Sequence, residues 1–223
     1  MRQRPVGIPP LIYITGCDGT GKTTQTQLLL DQLGASGFRV RHVWLRYPFF
    51  LSIPLLVYAR WRGLSWYEVN GLVRHGYWNF SPSWLMRKVF PRLLLVDAGL
   101  AGILRIYLPI LFGYTVVCER FTLDMVVDLS VAMDDLSFLD SGVAAAFIRL
   151  IPKNRILVLL DLDAAEIKER RKDLVWDQRL EARLLAFRKL AVVLGIGMLK
   201  TEEPIDAINR QVQTMIGLPH AQK

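Results

Sequence analysis

An apolar segment, Leu11 to Thr15, runs without interruption into Gly16-Cys17-Asp18-Gly19-Thr20-Gly21-Lys22-Thr23 and out into a helical pattern. The eight residues fit G-x-x-x-x-G-K-[ST]. That spacing needs small residues, because successive backbone N–H groups must converge on phosphate oxygens. Lys22 would reach the outer phosphates and Thr23 would turn its hydroxyl to Mg²⁺, with Thr24 beside it. Average residue usage gives the pattern about a one-in-a-hundred chance of arising somewhere in a chain this long, so context decides. "LIYIT" (11–15) reads as a buried strand, and "TTQTQLLLDQL" carries Leu28, Leu29, Leu30 and Leu33 as an apolar helix face. Strand, loop and helix stand in the order a phosphate site requires.

Further apolar runs repeat the theme. "FRVRHVWL" (38–45), "YTVVCE" (114–119), "RILVLLDLD" (155–163) and the weaker "GIGMLK" (195–200) read as strands. Helical patterns separate them at 122–133, 141–150, 164–173, 178–194 and 204–216. Such alternation predicts an α/β fold of the P-loop kind, a parallel sheet of about five strands flanked by helices. Ligands of these sheets bind beyond the carboxyl ends of the strands. The loop, Arg46, Glu119-Arg120 and Asp161 would share that rim. Glu119 and Asp161 compete as the acid that holds Mg²⁺. Glu119 is preferred because Arg120 follows at once, a carboxylate for metal beside a guanidinium for phosphate. Asp163 with Glu166 reads as a capping box for the next helix.

With 223 residues the chain can bury a substantial core. Its mean hydropathy of +0.28 calls for a look at membrane spans. Two uncharged stretches as long as any in the chain, Tyr47–Ala59 and Ile106–Cys118, are thirteen residues each. A span needs roughly 20 residues, so these read as core elements, with interfacial association left open. The N-terminal "MRQRPVGIPPLIYITG" has no h-region or cleavage site, so no signal peptide is expected. Cys17 and Cys118 suggest no disulfide framework, and a reducing cytoplasm fits best. A net charge of +8 attracts nucleotides, nucleic acid or acidic headgroups.

With these motifs in place, the chain resembles the thymidylate kinases within the P-loop nucleoside monophosphate kinases, from about Leu11 to Gly217. "GCDGTGKTT" is similar to that family's loop. "VVCERFTLDMVVD" resembles its Asp-Arg-Tyr/His segment. "LDLDAAEIKERRKD" and "EARLLAFRKLA" resemble its fourth strand, arginine-bearing lid and following helix. The resemblance implies ATP and Mg²⁺ on Gly16, Asp18, Gly19, Thr20, Gly21, Lys22, Thr23 and Thr24. It implies that Asp18 faces the acceptor's sugar, that Arg46 and Arg120 grip the acceptor phosphate, and that Glu119 stands near the metal. The loop has no arginine, so the catalytic one would come from a lid over 164–182, as Arg170 or Arg171 with Arg179 in reserve. A helical acceptor lobe and a homodimer are implied as well.

The departures concern the acceptor. Glu119 replaces aspartate, Phe121 a tyrosine or histidine, and Asp124 sits near a usual serine. Ala98 falls where an arginine beside the base is expected, with Arg105 two turns on. Residues 44–90 hold five of the six tryptophans, and within them "YPFFLSIPLLVYARWRGLSWYEV" (47–69) has no family equivalent. They read as a packed helical lobe, as a pocket stacking a flat group, or as an interfacial surface with peripheral membrane contact. The leading expectation is phosphoryl transfer from ATP to a nucleoside monophosphate, dTMP first, giving the diphosphate and ADP. A different acceptor, another nucleotide or a membrane-presented lipid or sugar phosphate, is the first alternative. An ATP-binding regulatory or nucleic-acid-associated protein is the second, though no nucleic-acid partner is expected.

Overall fold

The computed structural model describes residues 7–47, 50–71 and 73–218. The N-terminal lead 1–6, and Pro48, Phe49 and Leu72 of the aromatic segment, lie outside the described residues. Along the chain come β1 (Leu11–Gly16), α1 (Lys22–Ala35), β2 (Val40–Trp44) and α2 (Ile53–Trp61). Then follow β3 (Ser65–Asn70), β4 (Val73–Trp78), α3 (Trp84–Lys88), α4 (Phe90–Gly102), a π turn (Ile103–Tyr107) and α5 (Leu108–Leu111). The second half holds β5 (Thr115–Glu119), α6 (Thr122–Ala132), a 3-10 turn (Leu136–Asp140), α7 (Gly142–Arg149) and β6 (Arg155–Asp161). It closes with α8 (Ala164–Arg170), a 3-10 turn (Lys172–Trp176), α9 (Leu180–Leu194), β7 (Met198–Lys200) and α10 (Ile205–Ile216).

Five strands form one parallel sheet in the order β2-β5-β1-β6-β7. β1 lies at its centre, bonded to β5 and β6 and buried along its whole length. Its side chains alternate between two cores. Leu11 and Tyr13 join the larger one, with Leu94, Phe121, Phe147 and Phe187 from α4, the start of α6, α7 and α9. Ile12 and Ile14 join the smaller one, with Leu29 and Leu33 of α1 and Val212 and Ile216 of α10. The α/β class and all five expected strands are therefore observed. The expected 164–173 helix stops at Arg170. Arg171 takes an extended backbone and its guanidinium grips Asp173 at 2.7 and 2.8 Å, bending the chain into the tight turn.

The aromatic segment departs from the expected helical lobe. Residues 65–78 form an antiparallel hairpin, with Trp66 opposite Tyr77 and their rings 5.5 Å apart. Asn70 closes the ladder opposite Val73, and Gly71 follows it into the connection. Gly71 supplies the positive φ of 62°. The hairpin reaches across to the turn after α8. His75 Nε2 lies 2.8 Å from the Asp173 carbonyl, and Tyr77 Oη accepts from the Gln178 N–H at 3.2 Å.

One buried carboxylate fixes α2 against α4. Asp97 accepts from the backbone N–H groups of Phe50, Leu51 and Ser52 at 2.9–3.0 Å, and from Ser52 Oγ at 2.6 Å. Burial alone would raise its pKa, but these four donors outweigh it and hold the carboxyl below the usual aspartate value. A depressed carboxylate stabilises the fold above the unfolded-state value of about 3.9, and that contribution is lost as pH falls through the folded value. We expect Asp97→Ala to cost about 2–4 kcal/mol in urea unfolding at neutral pH, because the donors lose their acceptor. Asp97→Asn is expected to unfold with a flatter dependence on pH below 4 than the parent, read by thermal melts across that range.

Candidate functional site

The glycine-rich loop leaves the carboxyl end of β1, and its geometry explains its composition. Gly16, Gly19 and Gly21 all have positive φ, at 139°, 87° and 90°. At Gly16 a Cβ would stand 2.3 Å from the Leu160 carbonyl oxygen on β6. At Gly19 it would meet Ile167 Cγ2 at 2.8 Å, since α8 rests directly on the loop. Thr20 Oγ1 closes the turn by donating to the Cys17 carbonyl at 2.8 Å.

Lys22 opens α1 and is buried, with its ammonium donating to the Cys17 carbonyl at 2.6 Å and lying 3.8 Å from Asp18. Burial pulls its pKa down, against the opposing pull of Asp124, Cys17 and Glu119. Thr23, one residue on, donates through Oγ1 to Glu119 Oε1 at 2.7 Å across 96 positions of sequence. This contact follows from the sheet order, which places the end of β5 next to the end of β1. Mg²⁺ keeps several waters and takes one or two protein ligands beside phosphate oxygens. A hydroxyl and a carboxylate held together fit that demand. Among the described residues no three His, Cys, Asp or Glu side chains gather as a metal cage.

Asp18 to Thr24, Glu119, Arg120, Arg170 and Arg171 line one cavity of about 420 Å³, closed on its far side by Thr201 and Glu203 to Ile205. Gly16 forms the base of the loop beneath it. Arg120 follows β5 with a φ of 65°, a strained value for a side chain of its kind. The turn directs its guanidinium onto Asp18, with Asp124 3.6 Å from the other nitrogen. Arg46 lies outside the cavity lining but reaches the same carboxylate, 3.8 Å from Asp18, while pairing with Asp128 at 3.1 Å. Asp18 is thus shared by both guanidiniums expected to hold an acceptor phosphate.

The lid arginines separate. Arg170 donates to the Thr201 carbonyl at 2.8 Å and lies 3.7 Å from Glu166, and Arg171 is held by Asp173. Both line the cavity. Arg179 donates to the Val131 carbonyl at 2.9 Å and is not among the residues lining the cavity. Asp161, the competing acid, is occupied by Arg188 at 3.1 Å and Lys200 at 2.9 Å and is not among the residues lining the cavity. Asp163 caps nothing with its side chain, because Arg188 takes it at 2.6 Å instead. Ala98 is fully buried, and Arg105 stands at a second cavity of about 330 Å³ with Trp44, Arg46, Tyr47, Phe50 and Leu104.

Several site residues are not evident from spacing. Asp124 is buried and accepts from Tyr13 Oη at 2.8 Å and Thr15 Oγ1 at 2.9 Å. Burial and the Asp124 charge push the Tyr13 hydroxyl well up, keeping it a donor. Asp128 is held low by Arg46 and Arg183, which overcome the effect of burial. Arg183 of α9 pairs with Asp177 and faces Cys17 and Asp128, its Nε buried without a hydrogen-bond partner.

The fold and its rim define an α/β protein whose parallel sheet carries a cationic, glycine-walled cavity at the strand ends. Compared with models of protein families and with curated proteins, the chain matches none. We expect Gly16→Ala to cost at least about 2 kcal/mol in denaturant unfolding, since the added methyl meets both a disfavoured φ and a β6 carbonyl. Gly21→Ala, with open space at its Cβ, should cost less in the same assay.

Proposed function

We propose that this chain is a P-loop phosphotransferase that moves the γ-phosphoryl group of ATP to a nucleoside monophosphate, dTMP first. The observation that carries the reading is the convergence on one cavity of buried Lys22, the Thr23–Glu119 pair at 2.7 Å, and Arg120. The resemblance to thymidylate kinases supplies the acceptor class.

In this reading the loop's N–H groups and Lys22 hold the β- and γ-phosphates, the phosphates replacing the Cys17 carbonyl as partners of the ammonium. Thr23 and Glu119 would hold Mg²⁺, which neutralises charge on the phosphates when bound. An oxygen of the acceptor phosphate attacks the γ-phosphorus in line. The bond to the β–γ bridging oxygen breaks, its electron pair leaves with ADP, and the acceptor becomes the diphosphate. That oxygen is already ionised, so positioning and charge matter more than a strong base. Arg46 and Arg120 orient the acceptor by exchanging Asp18 for phosphate. Arg170 and Arg171 are the groups available to stabilise charge on the transferring phosphoryl. A cytoplasmic role in nucleotide biosynthesis would follow.

A second reading keeps the chemistry and changes the acceptor. It is favoured by the buried Ala98 where a base-binding arginine is expected, and by the aromatic cavity beside Arg46 and Arg105.

The test is ADP production from Mg-ATP with dTMP, dUMP, the other monophosphates and no acceptor. Turnover selective for dTMP is expected, falling about 10²–10³-fold in Lys22→Ala. Whichever of Arg170→Ala and Arg171→Ala removes the acting arginine should fall by about 10³-fold or more. ATP binding with no turnover on any nucleotide would sink the nucleotide-kinase reading in favour of another acceptor.

A further inference from the structure

A broad apolar face lies outside the site. On α2, Ile53, Val57 and Trp61 recur every fourth residue and are exposed, Trp61 by 80%. On the helical run 84–111, Val96, Leu100, Ile103, Leu104, Leu108 and Leu111 form a second exposed stripe, followed by Phe112. The two are joined. Asp97 fixes the start of α2 to α4, and Trp44 and Phe50 border the same cavity as Leu104. Exposed apolar surface of this extent marks an interaction site.

The run Trp84–Leu111 is long and apolar enough to cross a membrane, with a mean hydropathy of 1.8 over its most apolar window. Judged by uncharged length alone it escapes notice, because Arg87, Lys88, Arg92, Asp97 and Arg105 interrupt it. It is two-sided. Leu94, Ala98, Ala101 and Ile106 are buried in the main core, so the helix cannot leave the fold to span a bilayer without unpacking that core. Such a helix lies on a surface.

Charge identifies the surface. Residues 44–118 hold eight Arg and Lys against two acids, Glu68 and Asp97, and so carry six of the chain's eight net positive charges. Asp97 is buried and committed to its four donors, Arg46 is paired with Asp128 and Arg87 lies 3.7 Å from Asp135, while Arg60, Arg62, Arg92 and Arg105, on or beside the two apolar helices, face no carboxylate within salt-bridge distance among the described residues. Pairing two copies through this face would set one cationic rim against another. An anionic bilayer offers hydrocarbon to the apolar stripe and negative headgroups to the rim.

We propose that this face seats the protein on the surface of an anionic lipid bilayer. The inference is independent of the phosphate chemistry, and its test needs no nucleotide. The full chain is floated with vesicles of phosphatidylcholine alone and of phosphatidylcholine mixed with phosphatidylglycerol, at low and high salt. Binding should favour the anionic vesicles by at least about tenfold and fall with salt. Trp61→Ala and Leu111→Asp, both at solvent-exposed positions, should each lower it while leaving the thermal melt unchanged, as should Arg60→Glu with Arg62→Glu. The proposal is overturned if neither vesicle is bound, or if the variants bind as the parent does. It is equally overturned if sedimentation in lipid-free buffer shows a dimer that Leu111→Asp dissociates, because the face would then belong to a second copy.

Discussion

β1 has no free edge and no free face. Its backbone is bonded to β5 on one side and β6 on the other, and its side chains fill two separate cores. A strand so enclosed can only release its polar loop at its carboxyl end, where neighbouring parallel strands also terminate. The meeting of Thr23 with Glu119, and of Asp18 with Arg120, is a direct product of that alignment. Gly16 shows how tightly the two are linked. The residue that ends the strand must lack a side chain because β6 passes within a methyl group's reach.

Above this rim the charges form a connected chain. Asp18 joins Arg46 and Arg120, Arg46 joins Asp128, Arg120 approaches Asp124, and Asp124 is anchored by Tyr13 and Thr15 in the central strand. Every carboxylate in it faces a cation or hydroxyl donor, which is the condition for keeping charge in a largely dry setting. Arg46 and Arg120 are therefore held by an acid that a stronger anion could displace. Their orientation is fixed before any ligand arrives, and little side-chain entropy remains to be lost on binding.

Much of the sheet could be read from the chain because its signal is local. Apolar runs ending in acids gave β5 and β6, and leucines at helical spacing gave α1. Long-range pairs were another matter. Asp124 and Asp128 sit on a helix whose sequence is otherwise plainly apolar, and their partners Tyr13 and Arg46 lie some eighty or more positions away. Asp163 misled in the opposite sense. Its local pattern suits a helix cap, but Arg188, 25 positions on, competes successfully for the carboxylate. The 65–78 hairpin is not legible locally, because its aromatic residues suit a packed lobe as well as a strand, and its pairing of Trp66 with Tyr77 is set only by the fold.

The hairpin's attachment to the turn after α8 has a mechanical consequence. His75 and Tyr77 hold the chain at Asp173 and Gln178, immediately beyond the two arginines that wall the cavity. Residues 171–178 therefore cannot swing away from the loop as a free flap. They must either carry the hairpin with them or surrender those bonds. Trp66, whose ring lies 5.5 Å from that of Tyr77 in the same ladder, rides on that linkage, so any displacement of residues 171–178 that carried the hairpin along would change the surroundings of its indole.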